Sequence, residues 1–141
     1  MQLGFQDGLD VIRTSQLFRD PSGWYHIVAV VDTTQATSSD RMKLYVNGVE
    51  VTAFSSSSYP SLNYDTFVNA TNIHVLGARY RTSVDFYLDG YMAEVNFIDG
   101  QALTADNFGE INADTGEWSP KKYSGTYGTN GFILDYSDSA A

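Results

Sequence analysis

The sequence predicts an all-β fold, an antiparallel β-sandwich, and four observations carry that prediction. Residues 24–32 (WYHIVAVVD) form an apolar run that only His26 interrupts. A run apolar on both faces is expected in the middle of a packed sheet rather than at a wet edge. Next, Met42, Leu44 and Val46 alternate with Lys43, Tyr45 and Asn47, the period of a strand with one face inward. Asn47-Gly48 followed by Val49-Glu50-Val51 is a hairpin signal, because both central residues of a type I′ turn need positive φ. Finally, six or seven strand-like runs separated by turn residues, with almost no helical pattern, fit a sandwich.

The other elements follow in order. Residues 3–6 and 10–18 read as short strands split by Asp7-Gly8, and residues 19–23 (RDPSG) form a turn cluster that delivers the chain to Trp24. Residues 33–40 (TTQATSSD) read as a polar loop with no packing obligation. Residues 54–71 show little regular pattern; a connection this long is expected to be functional or packed by its own side chains. Residues 72–78 (NIHVLGA) read as a strand, 80–85 as a polar turn, and 86–99 as a broken strand followed by a long one. In that long strand Tyr91, Ala93, Val95 and Phe97 share one face. Residues 101–110 hold the only helical signal, a single turn capped by Thr104 and ended by Gly109. A Gly- and Tyr-rich segment over 118–141 closes with a strand at 132–136. No internal repeat is visible, and residues 1–141 read as a single domain.

Composition narrows the function classes. A chain of 141 residues with 43% hydrophobic content can bury one core. Ten Tyr and eight Phe suit half-wet β surfaces. The net charge of −9, from 17 acidic and 8 basic residues, argues against a nucleic-acid backbone or an anionic membrane surface as partner. Without cysteine, disulfides and thiolate metal sites are excluded. The N-terminus lacks the basic and apolar regions of a secretory signal, and no apolar run reaches membrane-spanning length.

Four motifs carry a family resemblance. They are Trp24-Tyr25-His26-Ile27, Leu44-Tyr45-Val46-Asn47-Gly48, residues 88–95 (LDGYMAEV) and Ala102-Leu103-Thr104. In order and spacing they resemble the concanavalin A-like, laminin G-type jelly-roll family. Further on, residues 97–104 (FIDGQALT), Phe108-Gly109-Glu110, Trp118, residues 120–123 (PKKY) and residues 128–132 (GTNGF) are similar to the endings of phage structural proteins. Those proteins are lectin-like domains of tail fibres and decoration proteins, especially in phages of marine bacteria. The resemblance implies a non-enzymatic virion component, a capsid decoration or a tail or fibre part, assembled in the host cytoplasm. It also implies other virion proteins or further copies of the chain as partners, with weak contact to host glycans. Members of that family usually carry more strands before the tryptophan strand than the 23 residues here provide. Neighbouring subunits or another virion protein are therefore expected to complete the sheet. A carbohydrate-binding lectin module for host-surface polysaccharide is the alternative reading.

Candidate sites divide by chemistry. Aromatic and amide side chains on loops suit sugars, where a ring stacks on the pyranose and Asn or Asp bonds its hydroxyls. Tyr59, Asn63, Tyr64 and Asp65 form one such group, and Tyr80 with Arg81 another; loop packing or subunit contact explains the same residues. Trp118, Tyr123 and Tyr127 are the candidates for an interface between subunits. His26 and His74, the only histidines, read as structural imidazoles, since so few ligands cannot supply a transition-metal site. Calcium would draw on Asp85, Asp89 or Asp32 with loop carbonyls, but no EF-hand spacing is present, so no cofactor is expected. Glu94 stands alone on its strand face where a glycosidase needs two carboxyls, and no G-x-S-x-G elbow or phosphate-binding loop occurs.

Overall fold

The computed structural model describes residues 4–7, 10–80 and 82–136. The chain is all-β, with antiparallel pairing in every sheet among these residues. It divides into two compact units, Met1–Thr66 with Ala102–Ser124, and Phe67–Gln101 with Gly125–Ala141.

The first unit holds two three-stranded sheets. Strand β1 (Gly4–Asp7) pairs with β2 (Asp10–Thr14), and β2 pairs with β6 (Phe54–Ser58). The second sheet runs β3 (Ile27–Val31), β4 (Met42–Val46), β5 (Val49–Glu50). Ile12 from the first sheet meets Met42 and Leu44 from the second, and all three are at most 2% exposed. Val31, Val51, Phe54 and Tyr59 pack around them, which makes this unit a small sandwich. Each fully buried side chain of this size stabilises by about 1.5–3 kcal/mol. Thr14, fully buried beside this core, donates its hydroxyl to the Gln16 carbonyl, so its polar atom is satisfied.

The Asn47-Gly48 turn forms as its sequence requires, with φ of 48° and 80°. The inward alternation of Met42 and Leu44 also holds, although Tyr45 on the other face is buried too. Strand β3 departs from expectation. Among the described residues it pairs with β4 alone, at the sheet edge, and Ile27 is 44% exposed. The ladder starts only at Ile27. Before it, Asn47 continues the pairing by donating its N–H to the His26 carbonyl while its side-chain oxygen accepts the His26 N–H, both at 2.8 Å.

Serine content hid strand β6. Residues 54–58 (FSSSS) lack apolar alternation, yet they pair with β2 from Val11↔Ser58 to Thr14↔Phe54. The register shifts by one residue between Arg13↔Ser56 and Thr14↔Phe54, a bulge at Ser55, whose hydroxyl donates to the Thr14 carbonyl at 3.1 Å. The 33–40 loop is not free of obligations either. Asp32 accepts bonds from the Thr34 N–H, the Thr34 hydroxyl and Gln35 Nε2, which hold its carboxyl below the usual carboxylate range. Arg41 donates from Nε, Nη1 and Nη2 to the carbonyls of Gln35, Pro60 and Ala36 at 2.8–2.9 Å. Two further strands, β10 (Gly109–Ile111) and β11 (Trp118–Pro120), make a hairpin that the sequence pattern did not reveal. The one expected helical turn is present as a 3-10 turn at Ala105–Asn107, and a second 3-10 turn sits at Ser38–Asp40.

The second unit has two short pairs. Strands β7 (Arg79–Tyr80) and β8 (Val84–Asp85) form a hairpin, and β9 (Val95–Phe97) pairs with β12 (Phe132–Leu134), stacking Phe97 on Phe132 at 5.4 Å. The strands expected at 72–78 and over 86–94 do not form. Phe86 and Glu94 both take positive φ, near 50°, which interrupts extended backbone. The glycine-rich segment is fixed against β9's end. Asp99 donates its N–H to the Tyr127 carbonyl and accepts from the Asn130 N–H and Asn69 Nδ2.

Candidate functional site

The first unit opens a cleft of about 480 Å3 at the end of the β3–β4–β5 sheet. Trp24, His26, Asn47, Ile111, Glu117, Trp118 and Pro120 line it. That volume lies within the range of small-molecule sites. Its residues come from three places in the chain: the approach to β3, the type I′ turn, and the β10–β11 hairpin. Trp24 is 68% exposed, so most of its ring faces solvent.

Trp118 is the most constrained member. Its indole rests against the bare Cα atoms of Gly48 and Gly109; a β-carbon at either position would fall inside the ring's van der Waals envelope. The turn glycine therefore answers to two demands, positive φ and a flat seat for a tryptophan. The indole N–H donates to His26 Nδ1 at 3.0 Å, with ring centroids 5.8 Å apart. An indole N–H can only donate, so His26 Nδ1 must be the unprotonated nitrogen and the ring proton sits on Nε2. Partial burial pushes the His26 pKa below its ordinary value, in the direction that keeps this neutral tautomer.

Four polar groups at the cleft have no protein partner among the described residues: the Trp24 indole N–H, His26 Nε2–H, the Asn47 side-chain NH2, and the Glu117 carboxylate. Three donors and one charged acceptor beside an exposed aromatic face can orient a hydroxyl-rich ligand.

The residues chosen from sequence distribute differently. Trp118 joins this cleft. Tyr59 instead packs against the Ile12–Met42–Leu44 core. Asn63, Tyr64 and Asp65 share one exposed loop tied to Thr33, through the Asn63 N–H to the Thr33 carbonyl and the Thr33 hydroxyl to the Tyr64 carbonyl. Tyr80 stands on β7 in the second unit, 39% exposed, and Arg81 lies outside the described residues. Tyr123 is buried against Phe108 at 5.0 Å, and the Tyr127 hydroxyl donates to Asn96. Both carboxylate oxygens of Asp85 take the Arg79 guanidinium at 2.8–2.9 Å, while Asp89 is exposed. No three His, Asp or Glu side chains converge on a possible ion site among the described residues. His74 bridges the carbonyls of Asn72 and Phe67.

Sequence reading missed Trp24, Asn47 and Glu117 as site residues and took His26 as purely structural. The available signal was the chain's pair of tryptophans, one beside the N-G turn's partner strand. A pairing across 92 residues, His26 to Trp118, leaves no trace in local pattern.

A second cleft of about 420 Å3 lies along β5 and is more apolar, with Phe18, Tyr25, Val46 and Val51 beside Val49, which is 70% exposed.

The chain matches no curated protein and no solved structure. A family model described as the concanavalin A-like lectin/glucanases superfamily, of laminin G type, matches residues 3–108, about three quarters of the sequence. The matched region runs from β1 to the Ala105–Asn107 turn and includes Trp24, His26 and Asn47, while Glu117 and Trp118 fall beyond it. The match covers well over half of the chain, whose described residues are all-β, and the chain belongs to the concanavalin A-like lectin/glucanases superfamily.

Proposed function

We propose that this chain is a non-enzymatic adhesion module that binds carbohydrate through the Trp24–Trp118 cleft. The observation that carries the reading is the exposed Trp24 ring set beside His26 Nε2–H, Asn47 NH2 and the Glu117 carboxylate, groups without other partners among the described residues. A pyranose offers an apolar C–H face for the ring and hydroxyls that both donate and accept. Membership of a superfamily of lectins and glucanases is compatible with sugar as the ligand class. Glu117 is the one carboxylate lining the cleft, and hydrolysis needs two, which favours binding over bond cleavage.

The test is a glycan array followed by calorimetric titration of the full chain. Trp24→Ala should weaken binding by about tenfold or more, with an unchanged circular dichroism spectrum because the ring is mostly exposed. Binding that is absent, or unchanged in Trp24→Ala, would refute the reading.

The second reading places the module in a phage particle, as capsid decoration or as part of a tail or fibre. The resemblance of the short motifs at 97–104, 108–110, 118, 120–123 and 128–132 to phage protein endings motivates it, and the more apolar cleft along β5 offers surface for a neighbouring subunit. Mass spectrometry of purified particles tests it: hundreds of copies indicate decoration, a few or tens indicate tail or fibre, and absence removes the reading.

A further inference from the structure

The charge of the cleft is one-sided. Glu117 brings a carboxylate to the rim, and among the described residues neither Lys nor Arg lines the site. Of the two cations that follow Pro120, Lys121 has its ammonium 3.5 Å from Glu110 Oε2, and Lys122 is exposed and does not line the cleft. Arg41, elsewhere in the same unit, has its guanidinium bonded to three carbonyls. The donors that remain, the Trp24 indole N–H, His26 Nε2–H and the Asn47 amide, are neutral while His26 keeps the tautomer its bond with Trp118 requires.

An anionic sugar entering this site would bring its carboxylate or sulfate near Glu117 with no charge-assisted hydrogen bond to compensate. Like charges at contact distance repel even at an exposed carboxylate such as Glu117, and a neutral donor does not offset that repulsion. A neutral sugar meets no such obstacle. Its hydroxyls can donate to Glu117 and accept from Asn47 and His26 without bringing a charge to the cleft.

Resting on the carbohydrate reading above, we infer that Glu117 is a specificity-determining residue that makes the cleft select neutral pyranosides and exclude uronates and sulfated sugars. The exclusion is local. The net charge of −9 repels anions as well, but that long-range effect fades beyond about 8 Å at physiological salt, whereas a contact with Glu117 does not.

The experiment titrates the full chain, at physiological salt, with hexasaccharides of glucose, mannose and galactose and with those of glucuronate, mannuronate and galacturonate. For whichever neutral sugar binds, its uronate counterpart should bind about tenfold more weakly or worse. Glu117→Gln should raise uronate affinity and shrink that gap by at least about threefold, while Trp24→Ala weakens neutral and acidic sugars together. A uronate that binds the unaltered chain as well as its neutral counterpart, or a gap untouched by Glu117→Gln, overturns the inference and leaves carbohydrate binding standing. If none of the six binds and the glycan array is also blank, carbohydrate binding itself fails and this inference with it.

Discussion

Three glycines of the first unit allow the seat of Trp118 to be weighed. Gly116 has φ of 73° and nothing within 4 Å of where an alanine methyl would sit, so Gly116→Ala should cost only the left-handed backbone penalty, about 1–2 kcal/mol. Gly109 has no positive φ, but a methyl there would meet the Trp118 ring; Gly109→Ala should cost only overpacking, about 1–3 kcal/mol. Gly48 combines φ of 80° with the same indole, so Gly48→Ala should cost both, about 2–5 kcal/mol. Urea denaturation followed by far-UV circular dichroism measures each. With a slope of about 1–3 kcal/mol per molar, the Gly48→Ala midpoint should fall below that of Gly116→Ala by on the order of 1 M. In a Trp118→Ala background the methyl has room, and Gly48→Ala should then cost no more than Gly116→Ala, about 1–2 kcal/mol. If Gly48→Ala and Gly116→Ala are equally destabilising in the unaltered chain, Trp118 does not rest on the turn, and the cleft loses the floor described above.

Two further outcomes follow from the same contacts. Because burial lowers the folded-state pKa of His26 below its ordinary 6.5, the unfolded chain binds a proton first. The stabilisation is therefore complete above pH 6.5 and is lost as pH falls through the lower folded value. Protonation of Nδ1 also breaks the bond from Trp118, so the fluorescence of Trp118 in Trp24→Phe should change over that acid window, and a flat trace would argue against the bond. Arg41→Lys keeps the charge but cannot reach the carbonyls of Gln35, Ala36 and Pro60 together; it should destabilise by about 1–3 kcal/mol in urea, and a change below about 0.3 kcal/mol would contradict the triple contact.

The elements that were legible share one property: their signal is local. Asn47-Gly48 specifies its own turn, Met42 and Leu44 announce the inward face of β4, and residues 101–110 yield the expected helical turn at Ala105–Asn107, although the Thr104 side chain makes no cap bond there. The errors fall where a neighbour decides. Strand β6 is a strand because β2 lies beside it, and four serines cannot advertise a partner more than 40 residues away. Residues 72–78 and 86–94 carry apolar content without a ladder, and the left-handed Phe86 and Glu94 end any extension. Apolar content on both faces suggested a central place for residues 24–32, but composition does not say whether a second neighbour exists.

The same division applies to the site. By itself the sequence determined the all-β class, the laminin G-type resemblance, the type I′ turn and the exclusion of thiolate chemistry, because composition, period and turn residues are properties of short windows. Only the tertiary structure decided that Trp118 sits on Gly48 and Gly109, that His26 holds it through Nδ1, and that Glu117 brings its charge to the same cleft. It also decided that Tyr59 and Tyr123, attractive as surface aromatics, are held in packing instead. The physical reason is distance along the chain. Contacts between residues 26, 48, 109 and 118 depend on how the sheet and the β10–β11 hairpin come together, and no local periodicity encodes that.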